Sequence, residues 1–240
     1  MKEARYFYVP NAATETELPE EEAMHALKVL RLKSGDDMVL MDGNGTFYEA
    51  EVTVAATKKC MYKIVDARPQ IKGWNGYIHL VIAPTKNIDR IKWLVEKATE
   101  IGFDEITFLE SKFSERKQIR IHRLEKIVVA AMKQSRKPWK PVINDIVSFK
   151  NFIMQRHDGY KYICHCYNEY EKSDVFNSLL KEKPNNVTIL IGPEGDFSTD
   201  EVEMALQQGY HSASLGNSRL RTETAGLTAI MMAQLVFRKE

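Results

Sequence analysis

Two glycine-bearing segments of this chain are well suited to hold a small ligand. The first is Ile191-Gly192-Pro193-Glu194-Gly195-Asp196-Phe197-Ser198, and the second is Leu215-Gly216-Asn217-Ser218-Arg219-Leu220-Arg221-Thr222-Glu223-Thr224-Ala225. Because glycine has no side chain, backbone N–H and C=O groups at these positions can approach a flat ligand closely. A lone Gly-x-x-Gly also occurs in ordinary turns, but two long strings together are more specific. They predict a ligand site built largely from backbone groups.

Both segments lie between a short apolar run and a helix. A β-rich run at residues 187–190 precedes the first segment, and a shorter run at residues 211–214 precedes the second. Ser198 and Glu201 have the spacing of a capping box, which predicts that a helix begins directly after the first segment. Since ligands of open α/β sheets bind outside the carboxyl ends of the strands, the two turns are predicted to form one site at that edge.

The two segments resemble the cofactor signature of the bacterial 16S rRNA uridine-N3 methyltransferases, the RsmE family of the SPOUT class. The resemblance implies a C-terminal α/β domain with a trefoil knot, an exception to the near absence of knots in proteins. It also implies S-adenosylmethionine as the cofactor, with adenine held by backbone groups. The residues that it implies for cofactor binding are Ile191, Gly192, Pro193, Gly195, Leu215, Gly216, Leu220 and Arg221.

Two stretches depart from the family's pattern at this site. Asp196 stands where the family commonly has glycine, and Asn217-Ser218-Arg219-Leu220 replaces the more usual x-Arg-Ile-Leu. Both departures concern local contacts to the cofactor rather than the family itself.

The implied reaction, methylation of uracil N3, sets clear chemical requirements. N3 is a weakly acidic imide nitrogen, and it becomes a good nucleophile once its proton leaves or is held by an acceptor. The methyl donor is already a charged sulfonium, so the protein mainly has to align N3 with the methyl group and stabilise charge on the uracil oxygens. Because N3 lies on the Watson–Crick edge, the base has to be unpaired or extruded.

Three side chains are candidates for these chemical roles. Arg136 lies in a stretch that resembles the family's Gln-Ser-x-Arg sequence near the active site, and it is predicted to meet the uracil charge, in one arrangement across a dimer interface. Glu223 or Glu194 could accept the proton. Each glutamate could instead have a structural role, since a carboxylate at a helix N-terminus is favoured by the helix dipole. The structural role is favoured for Glu194.

Composition favours a cytoplasmic protein. The chain has 240 residues and a formal net charge of +1. It contains no apolar run long enough to span a bilayer, and its start lacks the apolar stretch of a signal peptide. The three cysteines, Cys60, Cys164 and Cys166, show no zinc spacing. We therefore predict neither a membrane segment nor a metal site.

Residues 1–72 are predicted to form a small β-barrel domain. Asp42-Gly43-Asn44-Gly45 is a strong hairpin signal between two strand-like runs. The predicted strands cover residues 5–9, 38–41, 47–55 and 60–65. A helix is predicted over residues 20–30 from the spacing of Met24, Leu27 and Leu30. This region resembles the PUA-like module that begins the same methyltransferase family.

Basic residues of this first region are candidates for RNA binding. The string from His25 to Asp36 matches the family's His-x-x-x-Val-Leu-Arg pattern. The functional hypothesis is that basic side chains of this first region contact RNA phosphates, because such contacts fix register and orientation. These side chains are Arg5, Lys28, Arg31 and Lys33. A solvated helix end with a structural His25 is an equally weighted alternative.

Residues 73–240 are predicted to form the methyltransferase domain. Strands and helices alternate here, which is typical of a parallel sheet. The predicted strands cover residues 77–83, 106–109, 160–167, 187–190 and 211–214. The predicted helices cover residues 88–101, 121–135, 149–155, 174–180 and 224–237, with one more after Ser198.

Positive charge is concentrated between Ser111 and Pro141. This stretch holds ten basic residues against two acidic ones, Glu115 and Glu125. The imbalance is typical of a surface that binds a polyanion, and Trp139 offers a stacking surface for a base. The RNA-binding candidates here are Arg116, Lys117 and Lys137. A solvated helical face is the alternative.

The favoured function is S-adenosylmethionine-dependent methylation of a uridine N3 in 16S rRNA of the small ribosomal subunit. A related ribose 2′-O-methyltransferase typically has Ser-Leu-Asn-Val-Ser in the last loop, where this chain has residues 220–224 in the order Leu-Arg-Thr-Glu-Thr. A non-catalytic RNA-binding module is the third possibility, for which eroded glycine turns are expected. The last helix, 224–237, is more apolar than a one-sided helix needs, and the class buries such a helix in a homodimer. A homodimer is therefore predicted.

Overall fold

The computed structural model describes residues 4–239. They form two compact units, the first comprising residues up to Lys72 together with Met132–Lys140, and the second comprising Gly73–Ala131 and the residues from Pro141 onward. The first unit contains a four-stranded sheet and the second a seven-stranded sheet. The predicted α/β class with a preceding small β domain is confirmed. No helix in the described part of the chain is long and apolar enough to cross a membrane.

The sheet of the first unit is built around the predicted hairpin. Its strands are β1 (Tyr6–Tyr8), β2 (Asp37–Met41), β3 (Thr46–Ala55) and β4 (Cys60–Pro69). The strands are hydrogen-bonded in the order β1-β2-β3-β4, and β1 is parallel to β2 while the other pairs are antiparallel. In the hairpin loop, Asp42 Oδ1 accepts hydrogen bonds from Asn44 N at 2.7 Å and Thr46 N at 3.0 Å. The Asp42 side chain therefore fixes the turn that its sequence predicts.

The predicted helix over residues 20–30 is present as two consecutive helical segments. It consists of α1 (Glu20–Met24) and a π-helical segment at His25–Val29. Ala23 and Ala26 are buried, whereas Met24 is 36% exposed. The wider π turn, in which Leu30 N donates to His25 O at 3.0 Å, changes the angular spacing of the side chains. Leu27 and Leu30 therefore pack against the core of the first unit, whereas Met24 does not share their face.

Residues 132–140 are hydrogen-bonded into the first unit. Gly45 N donates to Pro138 O at 3.0 Å, and Lys140 N donates to Gly43 O at 2.9 Å. The Trp139 ring lies so close to Gly45 that a Cβ added there would be 2.2 Å from ring carbon Cζ2. This segment includes Arg136, so the structure places that candidate beside the small β sheet.

The second unit is a parallel sheet covered by helices. Its strands are β5 (Tyr77–Ile82), β6 (Glu105–Glu110), β7 (Val142–Ser148), β8 (Tyr160–Cys164), β9 (Ser173–Asp174), β10 (Asn186–Ile191) and β11 (His211–Ser214). Their order is β7-β6-β5-β10-β8-β11-β9, and every neighbouring pair is parallel. The five predicted strands are present. The structure adds β7 and β9, and it ends the predicted strand 160–167 at Cys164.

The helices of this unit lie close to their predicted positions. They are α2 (Ile88–Ile101), α3 (Ile121–Ser135), α4 (Phe149–Ile153), α5 (Val175–Glu182), α6 (Thr199–Gln207) and α7 (Thr222–Phe237). Helix α7 packs against α2, α5 and the central strands β5 and β10. At Gly226 an added Cβ would lie 2.9 Å from Ile82 Cδ1, so the absence of a side chain lets α7 approach the sheet. This packing fixes the start of α7 beside the carboxyl edge of the strands.

A buried polar network joins strands β5, β6 and β7. His79 Nε2 lies 2.8 Å from Thr107 Oγ1, and His79 Nδ1 lies 3.6 Å from Glu105 Oε2. Asn144 Nδ2 donates to both Glu105 and Thr107. Burial lowers the pKa of His79 to about 4, the Glu105 carboxylate opposes this shift, and His157 adds to it. The His79 imidazole is therefore neutral in the folded protein near neutral pH.

We expect this network to make folding stability depend on pH between about 6.5 and 4. The unfolded chain binds a proton on His79 near pH 6.5, whereas the folded chain does so only near pH 4, so stability falls as the pH drops through this window. The slope from this group is at most about 1.4 kcal/mol per pH unit. Urea unfolding at pH 7 and pH 5 should show a smaller loss for His79→Gln than for the wild type.

The exposed His122 on α3 provides the matched control for this measurement. His122→Gln should lose as much stability between pH 7 and pH 5 as the wild type does. Equal losses in the wild type and His79→Gln would contradict the assignment of the effect to His79.

Candidate functional site

A cleft of about 460 Å³ lies at the carboxyl edge of β8, β10 and β11. Its walls come from the ends of these strands and the loops that follow them. They comprise residues 164–166, 191–196, 213–216 and 218–222, with Arg90 and Ala225 beside them. All eight residues that the sequence assigned to cofactor binding line this cleft. They are Ile191, Gly192, Pro193, Gly195, Leu215, Gly216, Leu220 and Arg221. The two glycine segments thus come together in one place within the second unit.

The first glycine segment forms a tight turn between β10 and α6. An added Cβ at Gly192 would lie 3.0 Å from Phe197 N and 3.1 Å from Asp196 C, so a side chain there conflicts with the backbone of the same turn. At the end of the turn, Ser198 caps α6 and forms the predicted capping box with Glu201. Glu201 Oε1 also accepts a hydrogen bond from Lys112 N at 2.8 Å, which anchors the start of α6 to the loop after β6.

The structure shows how aspartate is accommodated at residue 196, where the family commonly has glycine. Its φ angle is +66°, in the left-handed region that glycine adopts readily and aspartate tolerates better than most residues. The carboxylate accepts hydrogen bonds from Cys166 N and from Phe197 N, each at 2.8 Å. Aspartate therefore keeps the backbone conformation of the turn and adds a negative group, tied to the neighbouring loop, to the cleft wall.

The second glycine segment is held by Ser214. Ser214 Oγ donates to Gly216 O at 3.0 Å and accepts from Gly216 N at 3.1 Å. Gly216 has a φ of +112°, and a Cβ added there would meet no atom within 4 Å. The turn therefore depends on the left-handed backbone at Gly216, and it leaves open space beside the chain. Helix α7 begins six residues later, at Thr222.

Residues 164–166 form an uncharged wall of the cleft. Burial raises the pKa of the Cys164 thiol to about 12 and lowers the pKa of His165. His165 Nε2 lies 2.7 Å from Ser212 Oγ, while its buried Nδ1 has no hydrogen-bond partner within residues 4–239. These groups stay neutral near pH 7. In the same described range, no cluster of three or more His, Cys, Asp or Glu residues could hold a metal ion.

The two candidate glutamates make different contacts. Glu194 is exposed and lines the cleft, and its Oε1 accepts a hydrogen bond from Lys86 N at 3.0 Å. Glu223 is 7% exposed and is not among the residues that line the cleft. Its Oε1 lies 3.6 Å from Arg90 Nε. Arg90 itself lines the cleft, and it was not among the site residues predicted from the sequence.

Arg136 belongs to the first unit and therefore lies outside the cleft-forming unit of the chain. It follows the end of α3 with a φ of +54°, and its guanidinium carbon is 5.6 Å from the centroid of the Tyr6 ring. Its side chain is exposed. The catalytic role of Arg136 stays a prediction.

The RNA-binding candidates divide between the two units. Arg5, Lys28, Arg31 and Lys137 belong to the first unit, and Arg116 and Lys117 belong to the second. Lys28 and Arg31 are exposed. Arg5 Nη1 lies 3.9 Å from Asp36 Oδ2, so Arg5 already has an acidic neighbour. Burial lowers the pKa of Lys137.

Two candidates of the second unit already have partners in the protein. Arg116 donates from Nε to Thr85 O at 3.0 Å and from Nη2 to Lys86 O, so it ties the loop after β6 to the loop after β5. Lys117 pairs with Glu110 at 3.1 Å. The loop contacts give Arg116 a structural role, and Lys117 is the more accessible of the two because its side chain is 70% exposed.

Two family models match the chain, and their boundaries follow its two regions. The model described as an RNA methyltransferase domain matches residues 73–234. The model described as an RNA methyltransferase PUA domain matches residues 18–64. Among curated proteins, the chain is 31% identical over 220 residues to ribosomal RNA small subunit methyltransferase E of Buchnera aphidicola subsp. Schizaphis graminum, which covers 88% of this chain and 86% of that protein.

Two solved structures are similar to this chain along almost its whole length. A probable rRNA-methyltransferase from Porphyromonas gingivalis is 39% identical, with a TM-score of 0.88 over 97% of this chain and 98% of the other. A Legionella pneumophila protein, solved in complex with its bound cofactor SAM, is 26% identical, with a TM-score of 0.86 over 97% and 98% of the two chains.

Proposed function

The chain belongs to the RNA methyltransferase family that includes the ribosomal RNA small subunit methyltransferases E, and we propose that it methylates N3 of a uridine in 16S rRNA with S-adenosylmethionine as donor. The observation that carries this proposal is the convergence of all eight predicted cofactor residues on one cleft. That cleft is where an open parallel sheet binds its ligands.

The residues of the cleft fit S-adenosylmethionine. Two backbone turns without protruding side chains at Gly192 and Gly216 provide N–H and C=O groups for a flat base, and the neutral wall of Cys164 and His165 suits the apolar faces of that base. When bound, S-adenosylmethionine supplies a methyl group on a positively charged sulfur that departs as a neutral thioether. The trefoil knot implied by the family resemblance stays part of this proposal.

The chain's own groups have to position the uracil and accommodate its charge. As N3 loses its proton, negative charge is shared with the two uracil oxygens, and a nearby cation lowers the energy of that state. The charge is cancelled as N3 bonds to the methyl carbon and the carbon–sulfur bond breaks. Arg136 is the cation that the sequence predicts for this role. Water or a carboxylate can take the proton, and Glu223 is the candidate carboxylate from the sequence.

The first unit is proposed to hold the rRNA. Its exposed basic side chains, which include Lys28 and Arg31, are suited to phosphate contacts that fix the orientation of the RNA without reading its sequence. We propose that the protein acts in the cytoplasm on the small ribosomal subunit or its 16S rRNA.

Mass spectrometry of nucleosides from 16S rRNA tests this function directly. A strain that lacks the gene should lose one 3-methyluridine, and the purified protein with S-adenosylmethionine should restore it on small subunits or on isolated 16S rRNA. Loss of a 2′-O-methylated nucleoside instead would identify a ribose methyltransferase. No change in methylation, together with retained RNA binding, would identify a non-catalytic module.

We propose that α7 forms part of a two-fold homodimer interface. Ala229, Ile230 and Ala233 are buried within the chain, but Met231 is 41% and Leu235 is 43% exposed. These two residues are one helical turn apart, so they share a face that the chain itself leaves uncovered. Burying it against the same face of a second copy satisfies the requirements of a two-fold interface.

Light scattering at micromolar concentration should therefore report a dimer. Met231→Glu combined with Leu235→Glu should shift the protein to a monomer, because the paired charges would be buried without partners. Ile71→Glu, at a residue that is 85% exposed, is the control that should stay dimeric. A wild-type monomer would contradict the proposed interface.

A further inference from the structure

We propose that Arg90, which lines the cleft, is a catalytic cation and that Glu223 acts by positioning it. This inference deepens the proposed methyltransferase function and rests on it. Arg90, on α2, lines the cleft, and Glu223, at the start of α7, contacts the Arg90 guanidinium. The inference differs from the sequence-based hypothesis, in which Glu223 or Glu194 accepts the proton and Arg90 has no catalytic role.

Arg90 is held at the cleft by a well-defined helix start. Asn87 is the N-cap of α2, and its side chain accepts a hydrogen bond from Asp89 N at 3.0 Å. Arg90 N donates to Asn87 O at 3.2 Å, which closes the first turn. The cap thus fixes the first turn of α2, and the Arg90 side chain, which lines the cleft, is 36% exposed.

The position of Glu223 suits an ion-pair partner of Arg90 better than an acceptor of the uracil N3 proton. Its side chain is 9% exposed, and its Oε2 has no solvent contact and no hydrogen-bond partner in residues 4–239. A buried carboxylate is costly unless a cation or hydrogen-bond donors compensate it. The Arg90 guanidinium, with Nε 3.6 Å from Glu223 Oε1, and the N-terminus of α7 provide that compensation. A proton acceptor for a base in the cleft would need an accessible oxygen.

The geometry leaves Arg90 able to meet the substrate. A guanidinium carries five N–H donors, and the contact with Glu223 lies on the Nε side. The two terminal nitrogens can therefore donate to a uracil oxygen as negative charge develops on it. The other carboxylates in the cleft wall are engaged with backbone groups, since Glu194 accepts from Lys86 N and Asp196 from Cys166 N and Phe197 N.

Arg90→Gln separates a role in the transition state from a role in cofactor binding. Removal of one preorganised donor to a developing oxyanion costs about 100-fold in rate. We expect kcat and kcat/KM to fall together by about that factor, while calorimetry shows unchanged affinity for S-adenosylmethionine. The matched control is Lys92→Gln on the same helix, which removes one positive charge from a side chain that is 38% exposed and paired with Asp89, and it should keep the wild-type rate.

Glu223→Gln tests the positioning role because it removes the charge and keeps the shape. We expect a smaller loss of rate, an unchanged acid limb of the pH–rate profile, and a double variant with Arg90→Gln that is no slower than Arg90→Gln alone. Additive losses in the double variant, or disappearance of the acid limb in Glu223→Gln, would instead identify Glu223 as the proton acceptor and overturn the inference.

Three further outcomes distinguish a failure of the role proposed for Arg90 from a failure of the proposed function. An active wild type together with an Arg90→Gln variant that reacts at the wild-type single-turnover rate would overturn the role of Arg90 and leave the proposed function intact. An Arg90→Gln variant whose rate loss is matched by lost cofactor affinity would assign Arg90 to cofactor binding. A folded wild type that binds S-adenosylmethionine but forms no methylated uridine would overturn the proposed function itself.

Discussion

Gly192→Val should weaken the binding of S-adenosylmethionine by about 100-fold. The reason lies in the turn itself, because a Cβ at residue 192 would already be 3.0 Å from Phe197 N and 3.1 Å from Asp196 C, before the two methyl groups of valine are added. The turn between β10 and α6 has to open, and with it the wall of the cleft moves. Overpacking of this kind costs up to about 3 kcal/mol, which corresponds to about 100-fold in affinity.

Calorimetric titration with S-adenosylmethionine measures this effect, and a thermal melt establishes that the variant is folded. Gly73→Val is the matched control, since a Cβ at Gly73 meets no atom within 4 Å and the residue lies outside the cleft lining. It should bind the cofactor as the wild type does. A folded Gly192→Val protein with unchanged affinity would contradict the assignment of this turn to the cofactor, and binding that is abolished by a chelator would contradict a metal-free site.

The parts of the fold that the sequence predicts well depend on local signals. The capping box at Ser198 and Glu201 involves residues three apart, and the structure contains both of its hydrogen bonds. The hairpin at residues 42–45 likewise depends on one side chain, Asp42, and its immediate neighbours. Such contacts form within a few residues of chain, so neither needs knowledge of the distant sequence.

The strands that the sequence missed lack a clear local pattern. Strand β7 contains Asn144 and Asp145 at its centre, where the pairing register with β6 shifts between Thr107 and Phe108. The shift makes Asp145 an extra residue, and it breaks the alternation on which strand prediction relies. Strand β9 has only two residues, and it pairs with β11, which lies much later in the chain. Pairing partners of this kind are set by the tertiary fold.

The candidate site shows the same division between local and distant information. Residues of the two glycine segments could be identified because the strings themselves are specific. The place of Arg90 in the cleft could not be identified, because it depends on the packing of α2 against α7, which are distant in sequence. Asp196 carried a usable signal, since aspartate at a position that resembles glycine is consistent with a left-handed backbone.

Arg31→Ala and Arg136→Ala should have different kinetic effects if the two arginines have the roles proposed for them. The two residues form a matched pair within the first unit, because both side chains are exposed and both have a φ of +54°. Replacement by alanine therefore removes one positive charge from the same backbone conformation in each case. Arg136 also contacts the Tyr6 ring, so a thermal melt of each variant is needed to show that the fold is kept before the kinetic difference is assigned to the RNA complex.

Arg31→Ala is expected to weaken RNA binding only. The loss of one phosphate contact raises KM for RNA or small subunits and reduces the slope of binding affinity against salt concentration by about one unit, on logarithmic axes. Turnover at saturating RNA should stay at the wild-type rate. Measurements of RNA affinity at two salt concentrations, with single-turnover rates at saturation, separate these quantities.

Arg136→Ala is expected to lower kcat and kcat/KM together. A cation that stabilises charge on the uracil contributes mainly in the transition state, so its removal slows the reaction even at saturating RNA. The rate should fall by about 100-fold, the effect of losing one oxyanion donor. Binding of S-adenosylmethionine should be unchanged, because Arg136 belongs to a different unit from the cleft that holds the cofactor residues. If saturated Arg136→Ala reacts at the wild-type rate with a reduced salt slope, Arg136 binds phosphate as Arg31 does, and Arg90 is left as the cation that acts on the base.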